Sequence, residues 1–180
     1  MAWCGTSTAR RPRISLVRVS SRTKLRSTLA MALLLCGAMA FCAPIPIGIK
    51  NSNPGNISGK NLKFWRKLGA TGHDPWGHLI FATDADGLRA IKFVLAGYRA
   101  KKINTVRKIA RRWTGHPLDL SRHSYVAAIA QSVGAALDEP LDLADPCIVS
   151  ALARGIILGE CGRRSYPSRL WMQIFGDFCR

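Results

Sequence analysis

Acidic side chains are scarce in this chain. Its 180 residues include ten Asp and Glu against 27 Lys and Arg, a formal net charge of +17, and two of the ten are glutamates, Glu139 and Glu160. Such an excess of one sign speaks for an anionic partner and is silent about fold. Metal-ligand spacing is missing as well. Six cysteines and four histidines occur without a CxxC or HxxxH pair, so no zinc site, other metal or cofactor is expected. His73, His78, His116 and His123 read as solvent-facing or structural. Residues 29–43 carry no charge over fifteen positions, fewer than the about 20 that cross a bilayer comfortably. There is no internal repeat, and no zinc-finger or RNA-recognition motif.

What is present begins with a leader. Residues 1–28 hold seven Lys or Arg and no acid, and the uncharged stretch follows directly. A basic segment, an apolar core and small residues (Ala38-Met39-Ala40) at its end have the form of an export signal. The expected division is a basic leader and signal peptide over 1–40 and a single domain over 41–180, periplasmic or extracellular, with membrane contact confined to the leader; a retained leader would instead be an anchor. The domain keeps 20 basic and 10 acidic residues, a charge of +10. It also keeps Cys42, Cys147, Cys161 and Cys179, enough for up to two disulfides in three possible pairings. Export directs the charge toward the anionic cell wall. The densest basic run, residues 101–112, lacks the interleaved aromatics of a single-strand stacking platform, so no specific nucleic acid is expected and the run reads as the solvated face of a helix.

Periodicity gives a mainly α domain. Residues 41–77 are rich in Gly, Asn and Pro and read mostly as loop with room for a short strand or helical turn, with an apolar patch at Leu62, Phe64, Trp65 and Leu68, and residues 78–82 read as a short strand. Thr83 with Asp86 three residues on is a capping-box-like start. Leu88, Ile91, Leu95 and Tyr98 then recur at helical spacing over 84–100. Thr105 opens a second helix, apolar at Val106, Ile109, Ala110 and Trp113 and basic at Arg107, Lys108, Arg111 and Arg112. Gly115 and Pro117 end it, and residues 125–133 resume helix. Asp145 as N-cap with Pro146 at the first helical position starts another, which runs to near Gly162. A last amphipathic helix follows Tyr166-Pro167 and packs through Leu170, Trp171, Ile174, Phe175 and Phe178, stapled by Cys179.

Residues 48–57 read Gly-Ile-Lys-Asn-Ser-Asn-Pro-Gly-Asn-Ile. Three Asn around Pro54-Gly55 favour a tight polar turn, because Asn side chains bond nearby backbone and Gly permits positive φ. The stretch resembles the G-I-R-N-N-N-P-G-N-I opening of a family of phage virion proteins and related bacterial proteins associated with peptidoglycan degradation. WGHLIFATDADGLRA at 76–90 and YRAKKINTVRKIARRW at 98–113 resemble later segments of that family in the same order, and the likeness spans about residues 48–166.

Glu139 precedes Pro140 in a turn and reads as solvated, whereas Glu160 ends an apolar helix. Apolar neighbours disfavour a carboxylate's charged form, raise its pKa and equip it for general acid work near neutrality. Ile156-Ile157-Leu158-Gly159-Glu160-Cys161-Gly162 resembles the end of the catalytic helix in lysozyme-like transglycosylases. In glucosaminidases of that superfamily an Asn-rich loop follows a similar glutamate; here it precedes it. The resemblance implies a small lysozyme-like α(+β) domain in circularly permuted order, Glu160 facing the Asn loop. Glu160 would be general acid and base in cleavage of peptidoglycan glycan strands, with Asn51, Asn53, Asn56, Tyr125 and Tyr166 as substrate-binding residues. The alternative is a non-catalytic phage-related structural or wall-binding protein, virion-associated, that uses the same loop and charge without chemistry.

Overall fold

In a computed structural model the described residues are 44–115, 124–162 and 166–176, which belong to one unit beginning at Pro44. The expected leader, Cys42, His116, Pro117, His123, Phe178 and Cys179 lie outside them. The described chain is mainly helical with one small sheet: α1 (Ile47–Lys50), α2 (Leu62–Arg66), β1 (Ala70–His73), β2 (Leu79–Phe81), α3 (Asp84–Ala100), α4 (Val106–Thr114), α5 (Ser124–Val133), α6 (Pro146–Cys161) and α7 (Ser168–Phe175).

The helices begin where side-chain chemistry supplies a cap. Thr83 accepts a hydrogen bond from the Asp86 amide and donates one to its carboxylate at 2.6 Å, and Asp84 and Asp86 face the positive end of α3. Thr105 accepts from Lys108 N to open α4, which Gly115 closes in the left-handed conformation. Asp145 accepts from Cys147 N to open α6, with Pro146 at the first position.

Packing centres on α6. Leu152, Ala153 and Ile156 are fully buried, as are Ile129 of α5 and Leu88, Ile91 and Leu95 of α3, and each Leu or Ile so placed is worth about 1.5–3 kcal/mol. The backbones of α5 and α6 come together at Gly155, where a β-carbon would lie 2.7 Å from Ile129 Cα. On another side α7 buries Trp171, Ile174 and Phe175, and the Trp171 indole donates to Ser150 Oγ at 2.7 Å. No helix among the described residues is long and apolar enough to cross a membrane.

The segment before α3 holds short elements between its loops. α1 and α2 form there, with Asn61 capping α2 through Phe64 N. β1 pairs antiparallel with β2 in the register Ala70↔Phe81, Gly72↔Ile80 and His73↔Leu79, with a bulge between Ala70 and Gly72. Ala-Thr-Gly-His has no alternating apolar pattern, so the pairing with the apolar β2 decides its state. Cys147 is disulfide-bonded, whereas Cys161 is buried and stands outside any disulfide, so at most one of the up to two expected bridges closes.

Candidate active site

The Asn loop is built by one residue and shaped by three glycines. Asn53 is fully buried, and its side chain is used completely: Nδ2 donates to Ile57 O (2.9 Å) and Leu79 O (2.8 Å), and Oδ1 accepts from Ile57 N (2.9 Å). Backbone bonds from Leu79 N to Ile57 O and from Phe81 N to Asn51 O then lay the loop along β2. Glycines let other elements close on it. A β-carbon on Gly48 would lie 2.7 Å from Asn53 O and Asn56 Oδ1 and 2.8 Å from Cys161 Sγ; one on Gly55 would meet the Trp113 ring at 2.9 Å; and one on Gly87 would collide with Ser52 O. Trp113 Nε1 donates to Gly55 O at 2.9 Å, and Cys161 Sγ contacts Pro54 O at 3.4 Å. The loop is thus clamped between β2, α3, α4 and the end of α6.

That clamp brings Asn56 to Glu160 across 104 positions of sequence. Asn56 sits at φ 46°, a left-handed conformation that Asn tolerates better than most residues, and its Nδ2 donates to Glu160 Oε2 at 3.0 Å. Near the carboxylate lies Tyr125 of α5, 5% exposed, whose hydroxyl interacts with Glu160. Gly159 makes room for that ring, since a β-carbon there would come within 2.3 Å of Tyr125 Cδ2. Burial raises the Glu160 pKa above the ordinary carboxylate value, against the opposing pull of the Asn56 and Tyr125 hydrogen bonds and the nearby His78. Burial and the Glu160 carboxylate raise the Tyr125 hydroxyl, which keeps it a donor.

A second group faces the same space. The Asp74 side chain, 4% exposed, accepts from the amides of Trp76 and His78 (both 2.9 Å), from Asn51 Nδ2 (2.8 Å) and from His78 Nδ1 (3.1 Å). Burial works to raise its pKa; the bonds from His78, Asn51 and Trp76 outweigh it, and the net displacement is downward, toward the carboxylate. A carboxylate on Nδ1 fixes the imidazole's orientation and leaves Nε2 as the nitrogen with free chemistry. His78 lies with Asn56, Ser58, Trp113, Thr114 and Glu160 around a cleft of about 270 Å³. Glu160 is the one carboxylate among the described residues lining it.

Of the residues singled out in sequence, the structure brings Glu160 and Asn56 to the cleft and sets Tyr125 behind Glu160. Asn51, 6% exposed, holds Asp74, and Asn53 is the internal clasp, so neither presents its amide to a ligand. Tyr166 stacks on Trp171, with ring centroids 6.4 Å apart, and is not among the cleft-lining residues. Sequence reasoning passed over His78, Asp74 and Trp113. A signal existed for the first two, because Asp74-Pro-Trp-Gly-His78 is a turn that returns residue i+4 to residue i. No protein-family model matches the chain, and comparison with curated proteins finds no match.

Proposed function

We propose that this is an exported, lysozyme-like enzyme that cleaves the glycan strands of peptidoglycan, of lytic transglycosylase type, with Glu160 as general acid and then base. The observation that carries the reading is the Glu160 carboxyl, its pKa raised by burial, hydrogen-bonded by Asn56 in an open cleft. A carboxyl in that state holds a proton closer to neutral pH than a solvated one and delivers it over a short distance.

In the proposed reaction Glu160 gives its proton to the glycosidic oxygen as the bond from the anomeric carbon breaks. The resulting carboxylate, steadied by Asn56 and Tyr125, then takes the proton of the sugar's own primary hydroxyl. That oxygen bonds the anomeric carbon and closes an anhydro ring, and Glu160 is again protonated. Hydrolysis by the two-carboxylate route needs a second carboxyl about 5–9.5 Å from the first; a single carboxyl among the described residues that line the cleft supports the intramolecular route. His78, held by Asp74, faces the charge that develops there.

The test is digestion of purified peptidoglycan by the full chain and by Glu160→Gln, with released fragments identified by mass. Anhydro products that fall about 10²–10⁴-fold in the variant are expected, the usual contribution of a general acid. Retained wall binding with no fragments from either protein removes the enzyme and leaves a wall-binding or virion structural protein.

A further inference from the structure

Two stretches of this chain are basic without a single acid. Residues 57–73 hold four Lys or Arg and residues 87–115 hold nine, with no Asp or Glu in either. The fold brings the two stretches together around three aromatic rings: Phe64 and Trp65 of α2 and Phe93 of α3 pack on one another, with centroids 5.3, 5.5 and 6.2 Å apart. We propose that this face is a docking surface for an anionic lipid bilayer, with Phe64 and Phe93 entering the headgroup boundary and the surrounding Lys and Arg on the lipid phosphates. This contact is independent of the Glu160 chemistry and lies in the folded domain, beyond the leader to which membrane contact was expected to be confined.

Phe64 and Phe93 are 39% and 45% exposed and pack together, so their open surfaces are contiguous. Single exposed apolar side chains are ordinary, but a contiguous patch rimmed by charge marks an interaction site. The rings meet at 84°, 52° and 79°, so none is coplanar with another and they form no flat platform. A nucleic-acid base that stacks needs such a platform. Burial of apolar surface at a bilayer has no directional requirement.

The charge is placed as that occupant requires. Lys60, Lys63, Arg66 and Lys67 are exposed and lie within four residues of Phe64. Trp65 and Phe93 line one pocket with Lys101 and Arg112, also exposed, which carries the basic surface from the rings to α4. None of these six cations forms an ion pair with a described residue, whereas Arg89 and Arg107 have Asp86 and Asp138. Trp and Phe beside Lys and Arg is the composition of segments that lie in a bilayer interface, and each cation near an anionic lipid surface adds roughly fivefold to affinity. No described helix is long and apolar enough to cross a bilayer, so the contact is one of surface docking.

The test is partition of the full chain onto sedimented vesicles, made of phosphatidylglycerol and phosphatidylcholine in equal parts or of phosphatidylcholine alone. Hydrogen exchange over residues 60–68 reports whether this face is the one seated. Partition onto the anionic vesicles is expected to be at least about tenfold tighter and to weaken as salt is raised, with exchange over 60–68 slowed. Lys63→Gln with Arg66→Gln weakens partition on the order of 25-fold. Phe64→Gln with Phe93→Gln weakens it at least about tenfold and abolishes the slowed exchange. Thermal melts of each variant verify folding, and Phe93→Gln alone stands in if the aromatic double variant does not fold.

Equal partition onto the two kinds of vesicle overturns the proposal. So does binding that leaves exchange over 60–68 unchanged, because the leader or another face then holds the membrane, and so does partition that survives both double variants. A single-stranded oligonucleotide that slows the same exchange and displaces the vesicles overturns it in favour of nucleic acid, and a purified wall fragment that does so overturns it in favour of the wall.

Discussion

Asn53 and Asn56 lie three residues apart in one loop, and the structure gives them opposite stability roles. Asn53→Ala deletes three hydrogen bonds, each worth about 0.5–1.5 kcal/mol net, and leaves Ile57 N and Leu79 O to find partners in a buried site, where an unpaired group costs about 1–3 kcal/mol, while Ile57 O keeps its bond from Leu79 N. Some relaxation accompanies the loss, and a total of about 3–5 kcal/mol is expected. In a unit of this size that lowers Tm by on the order of 10–20 °C. Asn53→Asp keeps the acceptor for Ile57 N but turns a carboxylate oxygen toward two carbonyls. It is as damaging at neutral pH and recovers part of the loss in acid, where the protonated carboxyl again donates. Asn56→Gly loses the bond to Glu160 but also removes a left-handed non-glycine residue and a buried Oδ1 with no hydrogen-bond partner among the described residues. These effects oppose one another, so its stability stays within about 1 kcal/mol of the parent while fragment release falls. Urea and thermal unfolding followed by circular dichroism measure all three. An Asn53→Ala cost under about 1 kcal/mol, or an Asn56→Gly cost as large as that of Asn53→Ala, refutes the clasp-and-site division.

Two further outcomes follow from the carboxyl and its surroundings. Because the folded-state pKa of Glu160 lies above its unfolded value, the folded state binds more protons between the two, and unfolding free energy falls as pH rises through that window. Glu160→Gln removes that loss, so its Tm advantage over the parent is expected to grow from pH 4 to pH 7; an advantage that shrinks over that range contradicts the raised pKa. Gly159→Ala puts a β-carbon 2.3 Å from the Tyr125 ring. The ring must leave Glu160, and activity is expected to fall at least about tenfold, equivalent to roughly 1.4 kcal/mol of barrier, although α6 gains helix propensity of up to about 1 kcal/mol; unchanged kcat shows that the Tyr125 contact does not matter.

The parts of this molecule that were legible in sequence are those decided by neighbours a few residues away. Thr83, Thr105 and Asp145 cap helices because their oxygens reach amides two or three positions on, and the start of α3 at Asp84 and of α6 at Pro146 follow from that. The apolar faces of α3, α4 and α6 were equally plain. What was not legible depends on tertiary closure. Ala70–His73 becomes a strand because β2 is there to pair with it. Asn51, Asn53 and Asn56 are the same residue type in the same loop, and only the buried edge of β2, the Asp74 carboxylate and the end of α6 assign them three jobs. His78 was read as solvent-facing or structural because its partner, Asp74, draws meaning from its burial.

Glu160 occupies the last turn of α6, the worst place on a helix for a negative charge. Unpaired carbonyls there amount to about half an electron of negative charge, so the helix itself disfavours ionisation. Burial by Tyr125 and the loop acts in the same direction. Opposed to these are the hydrogen bond that Asn56 donates to the carboxylate, the interaction with the Tyr125 hydroxyl, and the influence of His78. A residue selected for stability would be neutral at this position, or would have a cation beside it, yet the last turn of α6 has no basic residue. The same elements that hinder the charge also stabilise it once formed, and the general acid and base proposed here, which gives up a proton and takes one back, would need both. That balance depends on Gly48, Gly55 and Gly159 leaving space for loop and ring to close on one carboxyl, and on Asn56 accepting a backbone conformation that most residues avoid.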